Sequence, residues 1–81
     1  MAENKHHGMV KEMLHDLQHK FGLTQVEIAD YCGVAQPSIS VMYNGGGARD
    51  STYRKIRQLY AREQPKYRAR ILRAASVFKN D

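Results

Sequence analysis

The chain has 81 residues, one cysteine and a net charge of +5. A chain of this length supports one small core, and a single cysteine excludes an internal disulfide and a zinc cluster built from cysteines. It has no apolar run of about 18 residues and no signal-peptide pattern, so we expect one soluble, cytoplasmic domain over residues 1–81.

The first predicted helix runs from about residue 8 to residue 21 and follows a polar N-terminus, residues 1–7, that we expect to be flexible. Apolar side chains recur at three- and four-residue steps, which indicates one buried face. Gly22 is typical of a left-handed cap at the end of a helix. The apolar face consists of Met9, Met13, Leu14, Leu17 and Phe21.

Two histidines, His15 and His19, are one helical turn apart on this first helix. Two imidazoles at this spacing can bind a metal ion. The sequence has no HExxH pattern and no fixed third ligand, so we interpret them as a surface pair. We predict no metal site and no cofactor.

The next two helices are predicted to be joined by a turn at Gly33. Thr24, with Glu27 three residues later, is typical of a capping box that opens a second helix over about residues 25–32. Gly33 suits the reversal because glycine accepts a positive φ at little cost. A third helix follows over about residues 36–43. Small and apolar residues are expected to form the buried seam between these helices: Ile28, Ala29, Cys32, Val34, Ile39 and Met42.

The outward face of the third helix carries side chains that can read DNA bases. Glutamine pairs bidentately with adenine, serine bonds to donors or acceptors, and valine can contact a thymine methyl group; these roles fit Gln36, Ser40 and Val41. Gln25 and Asn44 are placed at helix ends, where amides and free helical N–H groups can bind phosphate.

These residues and spacings belong to the run LTQVEIADYCGVAQPSISVMYNG, which resembles the helix-turn-helix of Cro and phage repressors, the lambda-repressor-like family. The resemblance covers roughly residues 9–62 and implies a compact five-helix bundle with its helix-turn-helix at residues 24–45. It also implies that the third helix enters the major groove and that a homodimer binds a palindromic operator. By position, the family's base contacts fall on Gln36, Pro37 and Val41, and its phosphate contacts on Gln25 and Asn44.

Two features of this segment depart from many family members. Residues 24–44 contain no lysine or arginine, and Pro37 stands where a hydrogen-bonding side chain often occurs. We therefore expect cations outside the segment to supply much of the attraction to phosphate. The candidates are Arg49, Arg54, Lys55 and Arg57.

A glycine loop and two further helices are predicted in the remainder of the chain. A fourth helix is expected over about residues 52–62, after a cap at Asp50 or Ser51, and a fifth over residues 64–81, starting at Pro65. Residues 49–81 hold ten of the thirteen lysines and arginines, which suits a polyanionic partner. The apolar stripe of the fifth helix either completes the core or forms a dimer contact through Ile71, Ala75 and Phe78.

The sequence thus predicts an all-α, helix-turn-helix domain that binds double-stranded DNA and regulates transcription, as a phage or mobile-element repressor would. The alternative is a protein-interaction module that binds an acidic protein through the basic C-terminal half. No nucleophile–base pair and no phosphate-binding loop is recognisable, so we expect no enzymatic activity, no small-molecule ligand and no membrane association.

Overall fold

A computed structural model of the chain describes residues 6–79, including the side chains of residues 6–75. This part of the chain forms four α-helices and no β-strand, which confirms the all-α class. None of these helices is both long and apolar enough to cross a membrane. The helices are α1 (His7–His19), α2 (Gln25–Cys32), α3 (Gln36–Val41) and α4 (Asp50–Lys79), with a π-helical turn, Met42–Gly46, directly after α3.

The predicted capping box at the start of α2 and the predicted glycine turn at its end are both confirmed. Thr24 Oγ1 accepts a hydrogen bond from the Glu27 N–H at 3.1 Å, and the Thr24 N–H donates to Glu27 Oε1 at 3.0 Å, which completes the capping box. Gly33 ends α2 with φ +71°, in the left-handed region that favours glycine. These two ends fix the length of α2 and the direction in which the chain enters α3.

The hydrophobic core lies where α1 and α2 pack against the first half of α4, with α3 packed against α2 and the π-helical turn. Ile28 and Ala29 of α2 and Ile39 of α3 are buried at the predicted seam, while Cys32 and Val34 are half-buried at its edge. The core therefore joins α2 and α3 rigidly to the rest of the bundle. Its fully buried large side chains are Val10, Leu14, Leu17, Ile28, Ile39, Ile56 and Leu59.

The predicted break at Pro65 is wrong, because α4 continues through this residue as one helix of 30 residues. Proline removes one backbone hydrogen bond, but Pro65 is exposed, so water can solvate the carbonyl that it frees. Phe21 also packs against both Tyr60 and Tyr67, with ring centroids 5.1 and 5.4 Å away. Contacts on both sides of the proline hold the two segments in one helical register, so four helices replace the expected five.

The second half of α4 extends beyond the bundle, and we name residues 61–75 the spur. The molecule is 59 Å long but only about 20 Å wide. Within the spur all residues are exposed except Glu63 and Tyr67. Ile71 is 51% exposed and Leu72 64%, so this apolar stripe does not complete the core of the single chain.

Candidate nucleic-acid interface

The outward face of α3 includes the four residues predicted to read bases, together with the exposed Ser38. Gln36, Pro37 and Val41 are exposed, Ser40 is half-buried, and Ile39 between them is fully buried. Positions i, i+1, i+4 and i+5 of a helix lie on one side, so the four side chains share a single face. This face combines an amide, a hydroxyl and two apolar groups.

The structure links the first residues of α2 and α3 through their side chains. Gln36 Nε2 donates a hydrogen bond to Gln25 Oε1 across the turn. Gln36 retains its amide oxygen and a second N–H, which are the two groups that a glutamine offers to adenine. The separate roles predicted for Gln25 and Gln36 did not anticipate this bond, although both residues were placed at helix starts.

Asn44, a predicted phosphate contact, lies in the π-helical turn that follows α3. Its Nδ2 donates to the Ser40 carbonyl at 2.9 Å, which uses one of its two N–H groups. The other N–H is the group that could reach a phosphate oxygen. The hydrogen bond holds the Asn44 side chain against the last turn of α3.

We name residues 45–50 the glycine loop; it begins in the π-helical turn, ends at the first residue of α4 and folds back over the end of α3. Gly45 and Gly47 have φ values of +98° and +71°. A Cβ at Gly46 would lie 2.6 Å from Val41 Cγ1 and 2.8 Å from the Val41 carbonyl oxygen. The loop therefore contacts α3 directly beneath one of the predicted base-reading residues, where only glycine fits.

Arg49 lies beside α3, whereas the other predicted phosphate cations face elsewhere. A cleft of about 500 Å³ between α3 and the start of α4 is lined in part by Ser38, Val41 and Arg49. Arg54 is exposed two residues before the buried Ile56, which places it on the side of α4 away from the core.

Lys55 is exposed and lies near enough to Cys32, the last residue of α2, for its charge to act on the thiol. Burial raises the pKa of the half-buried Cys32 thiol, and the nearby charge of Lys55 partly opposes that shift. Arg57 lies over the ring of Tyr53, 5.8 Å from its centroid. The cations of the first half of α4 thus surround the helix instead of forming one strip beside α3.

Two histidines at the start of α1, His6 and His7, make contacts that the sequence does not predict. His6 and His7 contact Asp50, Tyr53 and Gly45, while His19 Nε2 lies 3.3 Å from the Tyr43 hydroxyl. His15 and His19 are exposed, with ring centroids 4.6 Å apart, as a surface pair should be. Among the described residues no three His, Cys, Asp or Glu side chains are grouped as metal ligands.

Aromatic side chains can stack on the bases of single-stranded nucleic acid, but the five tyrosines are all half-buried and dispersed over the helices. They do not form an open aromatic platform.

The candidate site is therefore the surface made by α3, the glycine loop and the start of α2. Comparison with models of protein families, with curated proteins and with solved structures found no match.

Proposed function

We propose that this protein is a non-enzymatic, sequence-specific regulator that binds double-stranded DNA with α3 in the major groove. Such a protein represses transcription by occupying a promoter and excluding polymerase. The proposal agrees with the resemblance of residues 24–45 to phage-repressor helix-turn-helix segments, and it assigns base contacts to Gln36, Pro37, Ser40 and Val41.

The observation that carries the proposal is the hydrogen bond between Gln25 and Gln36 on the exposed surface. An exposed bond between two neutral amides adds little to folding, because water competes for both groups. Its effect is to restrict the orientation of the Gln36 amide before DNA arrives. A side chain that is already oriented loses less conformational freedom on binding, which favours readout of one base.

Phosphate contacts are assigned to Gln25, Asn44 and Arg49, which border the reading face, with Arg54 and Lys55 as more distant candidates. Because residues 24–44 hold no lysine or arginine, affinity must depend on few charges. Each neutralised phosphate contributes about 0.9 to the slope of log affinity against log salt. We therefore expect a shallow slope, of roughly one to three.

The test begins with selection of duplexes from a random library at low salt, followed by anisotropy titrations on the selected site. Gln36→Ala is expected to weaken binding to that site by about 1–3 kcal/mol and to relax preference at one base step only. Gln58→Ala, which removes an exposed glutamine of α4, is the matched control and should bind as the wild type does. Failure to select any duplex, or equal losses in the two variants, would overturn the proposal.

Dimerisation through the spur is the second part of the proposal. Ile71 and Ala75, two of the three predicted dimer residues, are exposed on one helical face, and the Phe78 side chain lies outside the described residues. Arg62, Lys66 and three further arginines would bring like charges together in such a dimer. Salt screens this repulsion, so we expect self-association to strengthen as salt rises.

Sedimentation at several salt concentrations tests this assignment. Ile71→Asp should abolish self-association, whereas Val26→Asp should not, because Val26 is similarly exposed, at 56%, but lies on α2. A monomer at every salt concentration, or equal loss in both variants, would contradict a spur dimer.

The spur also favours a second candidate function, which is binding of an acidic protein. It carries Arg62, Lys66, Arg68, Arg70 and Arg73, and its one acidic residue, Glu63, is already paired with two of them. Attraction between opposite charges weakens as salt rises. The two uses of the spur therefore have opposite salt dependence, which distinguishes them when the sedimentation experiment is repeated with an acidic protein added.

A further inference from the structure

We propose that His6 and His7 are positioning residues that fix the glycine loop at its two ends and so hold Arg49 and Val41 in place for DNA. This inference rests on the proposed function, since it concerns the same surface. Neither histidine needs to touch DNA. Their effect is exerted through the loop.

The two histidines contact opposite ends of the loop. His7 Nδ1 lies 2.8 Å from the Gly45 carbonyl oxygen at the start. His6 Nε2 lies 3.0 Å from Asp50 Oδ1 at the end. A carbonyl and a carboxylate only accept hydrogen bonds, so each of these ring nitrogens carries the proton. Two adjacent residues thereby link the N-terminus of α1 to both ends of a loop nearly 40 residues away.

An aromatic stack reinforces the contact at Asp50. The His6 ring lies on the ring of Tyr53, with centroids 3.8 Å apart and an interplanar angle of 9°. The Tyr53 hydroxyl in turn donates to Met9 Sδ at 3.5 Å, back on α1. His6 is thus held between the first turn of α4 and α1.

The backbone at His6 supports the same interpretation. His6 has φ +61° and ψ +33°, and it is the non-glycine residue in the described part of the chain with a positive φ. L-residues other than glycine rarely adopt this conformation, and they keep it where surrounding contacts require it. The His6 carbonyl still accepts the first helical bond of α1, from the Val10 N–H at 2.8 Å.

The loop benefits from such external contacts because of its composition. Residues 45–47 are three consecutive glycines, and glycine has more conformational freedom than any other residue type. Binding DNA would have to remove this freedom from the loop. Contacts that remove this freedom in the free protein lower the conformational-entropy cost of binding DNA. Because Gly46 abuts Val41 and Arg49 follows in the same loop, fixing the loop fixes a base contact and a phosphate contact together.

Hydrogen exchange in the free, full-length protein, carrying no N-terminal tag, tests the contact without DNA. We expect His7→Ala to increase amide exchange in residues 45–49 about threefold to tenfold, as the loop opens locally. His7→Gln should restore protection, since a glutamine N–H can donate to the Gly45 carbonyl. His15→Ala is the control, because the His15 ring lies 6.4 Å from Tyr43 and not on the loop. Unchanged exchange in His7→Ala would overturn the proposal.

Titration with a selected duplex tests the consequence for binding. His7→Ala should weaken affinity and lower the salt slope by about one, as we expect for Arg49→Ala, and the double variant should have the same salt slope as Arg49→Ala alone. His7→Gln should rescue the slope, a result that general destabilisation would not produce. A salt slope that falls additively in the double variant would contradict the link to Arg49.

A further variant keeps the proposal testable if His7→Ala does not fold. His6→Phe keeps an aromatic ring over Tyr53 but removes the bond to Asp50, and it should show increased exchange near residue 50 even if His7→Ala does not fold. Unchanged exchange there would count against His6. If no duplex is ever selected, the proposed function fails, while the exchange measurements still decide whether the histidines fix the loop.

Discussion

The two halves of α4 have similar composition but opposite surroundings. Ile56 and Leu59 in the first half are 0% and 1% exposed, while Ile71 and Leu72 in the spur are 51% and 64% exposed. Both pairs belong to apolar stripes at helical spacing. The difference arises because α1 and α2 pack along the first half and end before the second. An apolar stripe therefore identifies a face of a helix, and the length of the neighbouring helices determines whether that face is covered.

The polar side chains of α3 and most of the arginines also lie in different regions of the molecule. The bundle carries the amide and hydroxyl face of α3 and the glycine loop, whereas most of the closely spaced arginines lie on the spur. The surface that we propose to read bases and the basic surface of the spur are thus in different regions. Four predictions test this division, beginning with the largest expected effect.

The strongest contrast is between two isoleucines of α4. Ile56→Ala should lower the free energy of unfolding by about 2–5 kcal/mol, because it leaves a cavity in the core. Ile71→Ala should lower it by less than about 1 kcal/mol, because half of that side chain is already in water. Urea titrations followed by circular dichroism measure both. Similar losses would show that the spur folds as part of the core.

The second prediction concerns a polar contact between α1 and the end of the first half of α4. The Tyr60 hydroxyl donates to Asp16 Oδ2 at 2.8 Å, and this hydrogen bond is the main cause that raises the pKa of Tyr60. Tyr60→Phe should lower the free energy of unfolding by about 1–2 kcal/mol, since the hydrogen bond involves a charged acceptor. An unchanged urea midpoint would mean that water replaces the hydroxyl without loss.

The third prediction uses glycine to compare the helix itself in the two halves. Glycine costs about 1 kcal/mol relative to a good helix former. Gln58→Gly should show that full cost in global stability, because its half of the helix unfolds with the bundle. Ala69→Gly should change global stability by less than about 0.5 kcal/mol and instead increase amide exchange within the spur. Equal losses in the free energy of unfolding for the two variants would show that the spur unfolds together with the bundle.

The fourth and smallest effect is the pH dependence of Glu63, where the two halves meet. Burial alone would raise the pKa of this carboxyl, but hydrogen bonds from Lys66 and Arg62 lower it below its ordinary value of 4.5. A lowered pKa stabilises the fold above pH 4.5, and this contribution is lost as pH falls through the folded-state value.

Glu63→Gln should therefore cost about 0.5–1 kcal/mol at neutral pH, since Arg62 and Lys66 are largely exposed. The difference from the wild type should disappear at low pH. A constant difference across the titration would show that the charge of Glu63 is not the cause. Urea unfolding at a series of pH values makes the comparison.

Much of the bundle could be predicted from local sequence, because its determinants are local. Thr24 and Glu27 form a capping box within one turn, and Gly33 and Pro37 act at single positions. The prediction of a break at Pro65 was wrong because the contacts on both sides of the proline come from Phe21, which is distant in sequence and lies just after α1. A pattern read along α4 alone does not contain them.

The candidate site was predictable for the same reason and to the same extent. The spacing of Gln36, Pro37, Ser40 and Val41 determines that they share a face of α3. The contacts of His6 and His7 with residues 45–50 join parts of the chain that the sequence separates widely, and no local pattern indicates them. Likewise, only the packing of α4 shows that Arg49 borders α3 while Lys55 lies near Cys32 of α2.

The most direct test of the central claim is a chemical-shift map of the labelled protein on addition of a selected duplex. We expect the amide signals of Gln25, residues 35–44 and the glycine loop to shift together at substoichiometric to equimolar DNA. Signals of residues 61–75 should stay nearly unchanged at moderate salt. Shifts confined to the spur, with none on α3, would show that DNA is bound by charge alone and would contradict the assignment of α3 as the reading helix.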